Sequence, residues 1–203
     1  MFGRNYHGYK SQGSYYRHNY HHSDPYRNQD FHRKHAYSGA YDNSSTGKYD
    51  DRLDYGWGLL EKERPVEAQK VFAALASTHP LRGTPKIGYA VATADLGQLS
   101  NGAAAMRRAL RIDPDAVHYV PVNSDLQHKF RQLADYYDVW PTSVGQADAH
   151  FMAAALNFLG GEPNIAREKI HQSLKYRDSM ASTNNLRRLI GDREVHHGSM
   201  VSD

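Results

Sequence analysis

Apolar residues recur at helical spacing from about residue 50 to residue 190, and prolines and glycines separate the apolar runs. This pattern predicts three pairs of helices, at about 50–61 and 65–77, at 84–96 and 100–112, and at 147–159 and 163–176. Proline costs little at the first position of a helix, which is where Pro65 and Pro163 fall. Pro80 and Pro114 lie just beyond the ends of two other helices.

The chain between the second and third pairs contains one more amphipathic segment. Its spacing predicts an extra helix over 124–137, with Ser124 or Asp125 as the N-cap. The apolar residues of this segment are Leu126, Phe130, Leu133 and Tyr137. Residues 118–122 before it are expected to be extended. A short final helix over 183–190, ended by Gly191, would close the last apolar face.

A step of 34 residues relates the first two pairs, since it carries Pro80 to Pro114. The same step joins Tyr55 to Tyr89, Gly56 to Ala90, Ala68 to Gly102 and Phe72 to Met106. A period of this length is typical of helix-turn-helix solenoids. Small residues such as Gly56 and Ala68 would let the two helices of a hairpin approach closely.

These residues resemble the tetratricopeptide repeat (TPR) family, most clearly in the first copy. That copy reads Tyr55-Gly56, Leu59, Glu63-Arg64-Pro65, Ala68, Phe72 and Pro80. The second copy matches less tightly, because Thr93 replaces the large apolar residue and Gly102 replaces the usual alanine at a cost of about 1 kcal/mol. The resemblance implies an all-α, antiparallel helix-hairpin solenoid with a right-handed superhelix. An unrelated helical bundle remains the alternative.

The expected repeat domain covers residues 50–191, with units at about 50–82, 83–116 and 147–180. The third unit is out of phase with a strict array, because its Ala166 lies 64 residues beyond Gly102. Residues 1–50 contain no Leu, Ile or Val but nine of the fifteen tyrosines. Such a composition cannot bury enough apolar surface to offset its ordering entropy, so residues 1–49 and 192–203 are expected to be disordered.

The TPR resemblance implies that the first helix of each pair lines a concave surface. The side chains placed there form an apolar groove, suited to a helix or an extended apolar segment of a partner protein. The groove residues are Leu53, Trp57, Leu60, Ile87, Val91 and Ala94. Leu53 and Trp57 stand where peptide-clamping family members carry Lys and Asn. The alternative is that these side chains are ordinary core, packed against the 124–137 helix or against one another.

Charge adds a second hypothesis, confined to the first 50 residues. Lys plus Arg is 7 and Asp plus Glu is 4 there, which leaves 18 against 18 in the remainder and places the net charge of +3 in the tail. Weak, salt-sensitive binding of nucleic acid or another polyanion is therefore a competing function. The residues expected to contact it are Tyr6, Tyr9, Tyr15, Tyr16 and Arg17. A third hypothesis for the function is a structural, self-associating envelope protein.

The sequence contains no HExxH, phosphate-loop or Gly-x-Ser-x-Gly motif, so a non-enzymatic interaction module without a cofactor is expected. The six histidines of residues 1–50 predict adventitious metal binding at most, and no physiological metal site. Cysteine is absent, which rules out disulfides. No apolar run approaches the length of a membrane span. As written, the chain is expected to be cytoplasmic; a periplasmic or envelope location is the alternative if translation starts upstream. Partner identity and oligomeric state stay open.

Overall fold

The computed structural model describes residues 43–139, 145–176, 178 and 180–191, and the secondary structure of this part of the chain is entirely helical. The elements are α1 (Asn43–Glu61), α2 (Pro65–Thr78), α3 (Thr84–Asp95), α4 (Leu99–Ile112), a 3₁₀ helix (Pro114–Tyr119), α5 (Ser124–Val139), α6 (Gln146–Leu159), α7 (Pro163–Lys175) and α8 (Ala181–Leu189). The all-α prediction is confirmed for these residues.

Most helix boundaries match the sequence prediction to within two residues. Pro65 and Pro163 occupy the first positions of α2 and α7. The exception is α1, which begins at Asn43 rather than at about 50 and so extends into the segment predicted to be disordered. Tyr49 explains the longer helix, because its ring is 5% exposed and lies 4.5 Å from the ring of His79, with the Arg82 guanidinium 4.7 Å from its centre.

The first two hairpins close around Phe72, which is fully buried on α2. A Cβ atom added to Gly56 of α1 would lie 2.8 Å from its ring, and one added to Gly88 of α3 would lie 2.5 Å away. The absence of side chains at both positions therefore lets α1 and α3 approach α2 closely enough to enclose the aromatic ring. The predicted close contact at Gly56 is present.

The segment between α4 and α5 differs from the prediction of an extended chain. Pro114–Tyr119 forms a 3₁₀ helix, which packs on α3 and α4, so the prediction is wrong for His118 and Tyr119, whereas Val120 has an extended backbone. The Gly83 N–H donates to Asp113 Oδ2 at 2.9 Å, which fastens this segment to the start of α3. The cap of α5 also differs: Asn123, rather than Ser124 or Asp125, accepts a hydrogen bond from the Leu126 N–H at 2.9 Å.

Helix α5 is outside the three hairpins and packs against α1, α3 and α6. Its insertion accounts for the irregular spacing of the third hairpin, formed by α6 and α7. The last helix, α8, packs on α4, α7 and the 3₁₀ helix, with Leu186 fully buried. Among the described residues, none of the helices combines the length and apolar character that crossing a membrane requires.

Candidate interaction surface

The side chains predicted to line an apolar groove are all buried. Leu53 is the most accessible of them, at 9% exposure, and the others are Trp57, Leu60, Ile87, Val91 and Ala94. The indole of Trp57 meets the ring of Phe72 edge-on, with centroids 4.9 Å apart, and the ring of Phe130 at 6.4 Å. Since Phe130 belongs to α5, the inner face of the first two hairpins is in contact with this extra helix.

The inward side of α5 supplies the apolar surface that covers the inner face. Leu126, Phe130, Leu133 and Tyr137 are each at most 1% exposed. The Tyr137 hydroxyl donates to the Leu99 carbonyl at 2.8 Å, which ties the end of α5 to the start of α4. The interpretation of the six residues as an open groove is therefore corrected, and the alternative that they are core agrees with the structure.

A buried cation joins α5 to both hairpin turns. Lys129 is 5% exposed, and its Nζ donates to Glu63 Oε2 at 2.8 Å and to Asp95 Oδ2 at 2.9 Å. Burial disfavours the charged ammonium, but hydrogen bonds to Glu63 and Asp95 outweigh it and raise the pKa of Lys129. Lys129 therefore links α5 to the turn after α1 and to the end of α3.

Thr93, which replaces the large apolar residue of the first copy, is buried and makes a hydrogen bond. Thr93 is fully buried, and its hydroxyl accepts from Gln69 Nε2 at 2.9 Å. A buried hydroxyl costs little when it is paired in this way. The substitution in the second copy is therefore a polar contact between α2 and α3.

A second buried network centres on Arg107 and joins α4, α6 and α8. Its Nε donates to Asp148 at 2.5 Å, Nη2 donates to Asp178 at 2.7 Å, and Nη1 donates to the Thr183 hydroxyl at 2.9 Å. The guanidinium also lies 4.0 Å from the centre of the Phe151 ring, a cation–π arrangement. The N–H groups and one face of the cation are thus engaged by the protein, which indicates a structural role.

Asp178 is the carboxylate most enclosed by this network. Burial alone would raise its pKa, but hydrogen bonds from Ser173 and Thr183, together with Arg107, lower the pKa of Asp178 below its ordinary value. Sequence reasoning missed both buried cations. The sequence signal was a basic residue at an apolar position of the helical spacing. Arg107 lies at such a position on α4, between Met106 and Leu110, and Lys129 lies at one on α5, next to Phe130.

The seam where α5 and α7 flank α6 carries a partly exposed ionic and aromatic cluster. Lys169 Nζ of α7 lies 2.8 Å from Asp138 Oδ2 of α5. His150 of α6 stacks on Tyr176, with ring centroids 5.5 Å apart. Burial first, and Lys169 second, lower the pKa of His150, while Asp138 acts in the opposite direction. The imidazole is consequently held neutral near pH 7.

The outward side of α5 exposes two large apolar side chains one helical turn apart. Tyr136 is 54% exposed and Val139 is 67% exposed. Residues three apart on a helix are neighbours, so the tyrosine ring and the valine form one contact patch. We call Tyr136 and Val139 the α5 outer patch. Aromatic residues of this kind are enriched where proteins contact one another.

In the part of the chain that the structure describes, no group of three or more His, Asp or Glu side chains is placed to hold a metal ion. The predicted tail contacts lie outside the described residues; these are Tyr6, Tyr9, Tyr15, Tyr16 and Arg17. No protein-family model, curated protein or solved structure matches the chain.

Proposed function

We propose that the chain is a non-enzymatic protein-interaction module, built from TPR-like helical hairpins, that contacts its partner through the α5 outer patch. The TPR-like arrangement is supported by the 34-residue step in the sequence and by the close approach of α1 and α3 to Phe72. It is also supported by the connection of α1 to α2 and of α3 to α4 through short turns.

The proposed contact surface rests on the difference between the buried side and the exposed side of α5. Its inner stripe is fully used in the core, while Tyr136 and Val139 on the other side remain more than half exposed. Tyrosine supplies a large, rigid contact area at low entropic cost, and such residues carry much of the energy of protein interfaces. With the inner face closed, a protein partner would have to contact outward-facing side chains such as these.

The experiment is affinity capture from the native lysate with the full chain as bait. The test variant is Tyr136→Asp with Val139→Asp. A matched control, Tyr55→Asp with Val66→Asp, alters one exposed tyrosine and one exposed valine on α1 and α2. All three proteins should show the same helical circular dichroism, since the four side chains are exposed.

We expect a protein captured by the parent and by the control to be lost with the α5 variant. Equal recovery with all three baits would place the contact elsewhere. Recovery dominated by nucleic acid, and abolished by deleting residues 1–42, would support the competing polyanion hypothesis instead.

A further inference from the structure

Helices α4 and α8 pack against each other, and neither contains an acidic residue. Their basic residues are Arg107, Arg108 and Arg111 on α4, with Arg187 and Arg188 on α8. Arg107 is hydrogen-bonded within its buried network, whereas Arg108, Arg111 and Arg188 are exposed. We call these three residues the arginine face.

Hydrogen bonds join the second half of α4 to the first half of α8. Arg107 of α4 contacts Thr183 of α8, and Asn185 Nδ2, further along α8, donates to the Leu110 carbonyl at 2.8 Å. The helices therefore run in the same direction at their contact. Arg111 follows Leu110 directly, and Arg188 donates from Nη2 to Asn185 Oδ1. Both arginines thus belong to the same end of the α4–α8 pair.

The helix dipoles account for a cation in each last turn but not for the whole arginine face. Arg108 lies a turn before the end of α4, and its charge acts with burial to lower the pKa of Lys86. Lys86 Nζ is itself occupied, because it donates to the carbonyls of Pro80 at 2.8 Å and Arg82 at 2.9 Å. The Asp113 carboxylate acts on the pKa of Lys86 in the opposite direction, so the start of α3 lies within electrostatic reach of both Arg108 and an acidic group.

A shallow cavity of about 310 Å³ opens beside Arg188, between the 3₁₀ helix and α8. It is lined by Pro114, Asp115, Asn185, Arg188 and Leu189. Proline and leucine give the cavity an apolar wall, which suits an aliphatic side chain. The Asp115 carboxylate would repel a phosphate and a carboxylate alike, but the apolar wall offers a contact that an aliphatic side chain can make and a sugar-phosphate backbone cannot, so the cavity favours a protein ligand.

We propose that the arginine face binds an acidic protein segment, with carboxylates one helical turn apart on Arg108 and Arg111 and one aliphatic side chain in the cavity beside Arg188. Arginine pairs with carboxylates through its planar, multi-donor guanidinium group, and carboxylates three or four residues apart on a helix match two arginines at the same spacing. This surface is separate from the α5 outer patch.

The test uses the full chain and a fluorescein-labelled synthetic peptide in which glutamates at i and i+4 flank a single leucine. Fluorescence anisotropy measures its binding at low and at physiological salt. The test variant combines Arg108→Gln, Arg111→Gln and Arg188→Gln. The control combines Arg52→Gln, Lys62→Gln and Lys70→Gln, which removes the same charge from exposed positions on the first hairpin.

We expect the arginine-face variant to bind the peptide about tenfold more weakly, because two exposed ion pairs and the attraction of a third nearby cation are lost. The control variant should stay within about twofold of the parent, and so should the Tyr136→Asp, Val139→Asp protein. Replacing the peptide's leucine by serine should weaken binding to the parent about threefold or more. Because separate variants alter the two surfaces, failure of one proposal can be told from failure of the other.

The proposal is overturned by equal loss in the two triple variants, which would show a response to net charge alone. Binding of a labelled oligouridylate that is tighter than that of the peptide and is lost in the arginine-face variant, or no saturable peptide binding by the parent, would also overturn it. If the triple variant melts early, the single Arg108→Gln variant decides against a single Arg52→Gln control, with a loss of about twofold expected for the first and no change for the second.

Discussion

At the scale of single residues, Gly102 shows how a later part of the chain determines an earlier position. A Cβ atom there would lie 2.9 Å from the Tyr137 hydroxyl oxygen and 3.1 Å from the Ala90 carbonyl oxygen. The alanine that a repeat pattern favours would therefore collide with α5 and α3. Glycine at this position is required by the packing of α5, even though it weakens the helix locally.

Gly102→Ala should consequently destabilise the protein by about 1 kcal/mol or more, since overpacking outweighs the gain in helix propensity. The matched control is Gly58→Ala in α1, where an added Cβ has open space. This change should stabilise by about 0.5–1 kcal/mol. Urea unfolding of both variants measures the two free energies, and a gain for Gly102→Ala would contradict the packing described for Tyr137.

Arg107 is predicted to make a large contribution to the free energy of unfolding. Arg107→Met would leave the Asp178 carboxylate, whose side chain is 1% exposed, without its cation. Removing one partner of a buried ion pair lowers the free energy of unfolding by about 3–5 kcal/mol. Arg108→Met, at the neighbouring exposed position, should change stability by no more than about 0.5 kcal/mol. Similar urea midpoints for the two variants would argue against the buried network.

At the scale of elements, α5 decides what the hairpins can do. Its inner stripe fills the space in front of Trp57, and Lys129 ties it to both hairpin turns. Its far end meets α6 and α7, where Asp138 pairs with Lys169 beside His150. The helix is thus held by apolar packing along its length and by charges near both ends.

Protonation of His150, at the seam where α5 and α7 flank α6, should lower the free energy of unfolding as the pH falls. Because the folded pKa of His150 is lowered, the unfolded state binds the proton more readily as pH falls through about 6.5. Stability associated with the neutral imidazole is therefore complete above that pH and is lost below it. The neighbouring groups are Asp138 on α5, and Lys169 and Tyr176 on and after α7.

The measurement compares free energies of unfolding at pH 7 and pH 5 for the parent, for His150→Gln and for the exposed-residue control His128→Gln. The parent and the control should lose more stability between these pH values than His150→Gln does. An equal loss in all three proteins would show that the His150 environment does not disfavour protonation.

Much of the element order could be predicted from the sequence, because prolines at the starts of α2 and α7 and apolar spacing within each helix are local signals. The position of α5 could not, since an amphipathic stripe shows that a helix has a buried side but not what covers it. The Asn123 cap and the partners of Arg107 also depend on contacts between distant parts of the chain.

At the scale of the whole molecule, closing the inner face moves the surfaces available for binding to the outside of the helices. The α5 outer patch carries the proposed protein contact, and the arginine face on α4 and α8 carries a second one of different chemistry. Two outward surfaces can be occupied independently, so a variant in one should leave binding at the other unchanged.

If α5 covers the inner face of the first two hairpins, Trp57 is shielded from solvent, and its accessibility is the first property to measure. In a Trp140→Phe protein, Trp57 is the sole tryptophan, so its emission and its quenching by acrylamide report that position alone. With Trp57 1% exposed beside Phe130, we expect blue-shifted emission and quenching several-fold weaker than in urea-unfolded protein. Emission and quenching equal to those of the unfolded chain, with helical circular dichroism retained, would contradict the closed inner face.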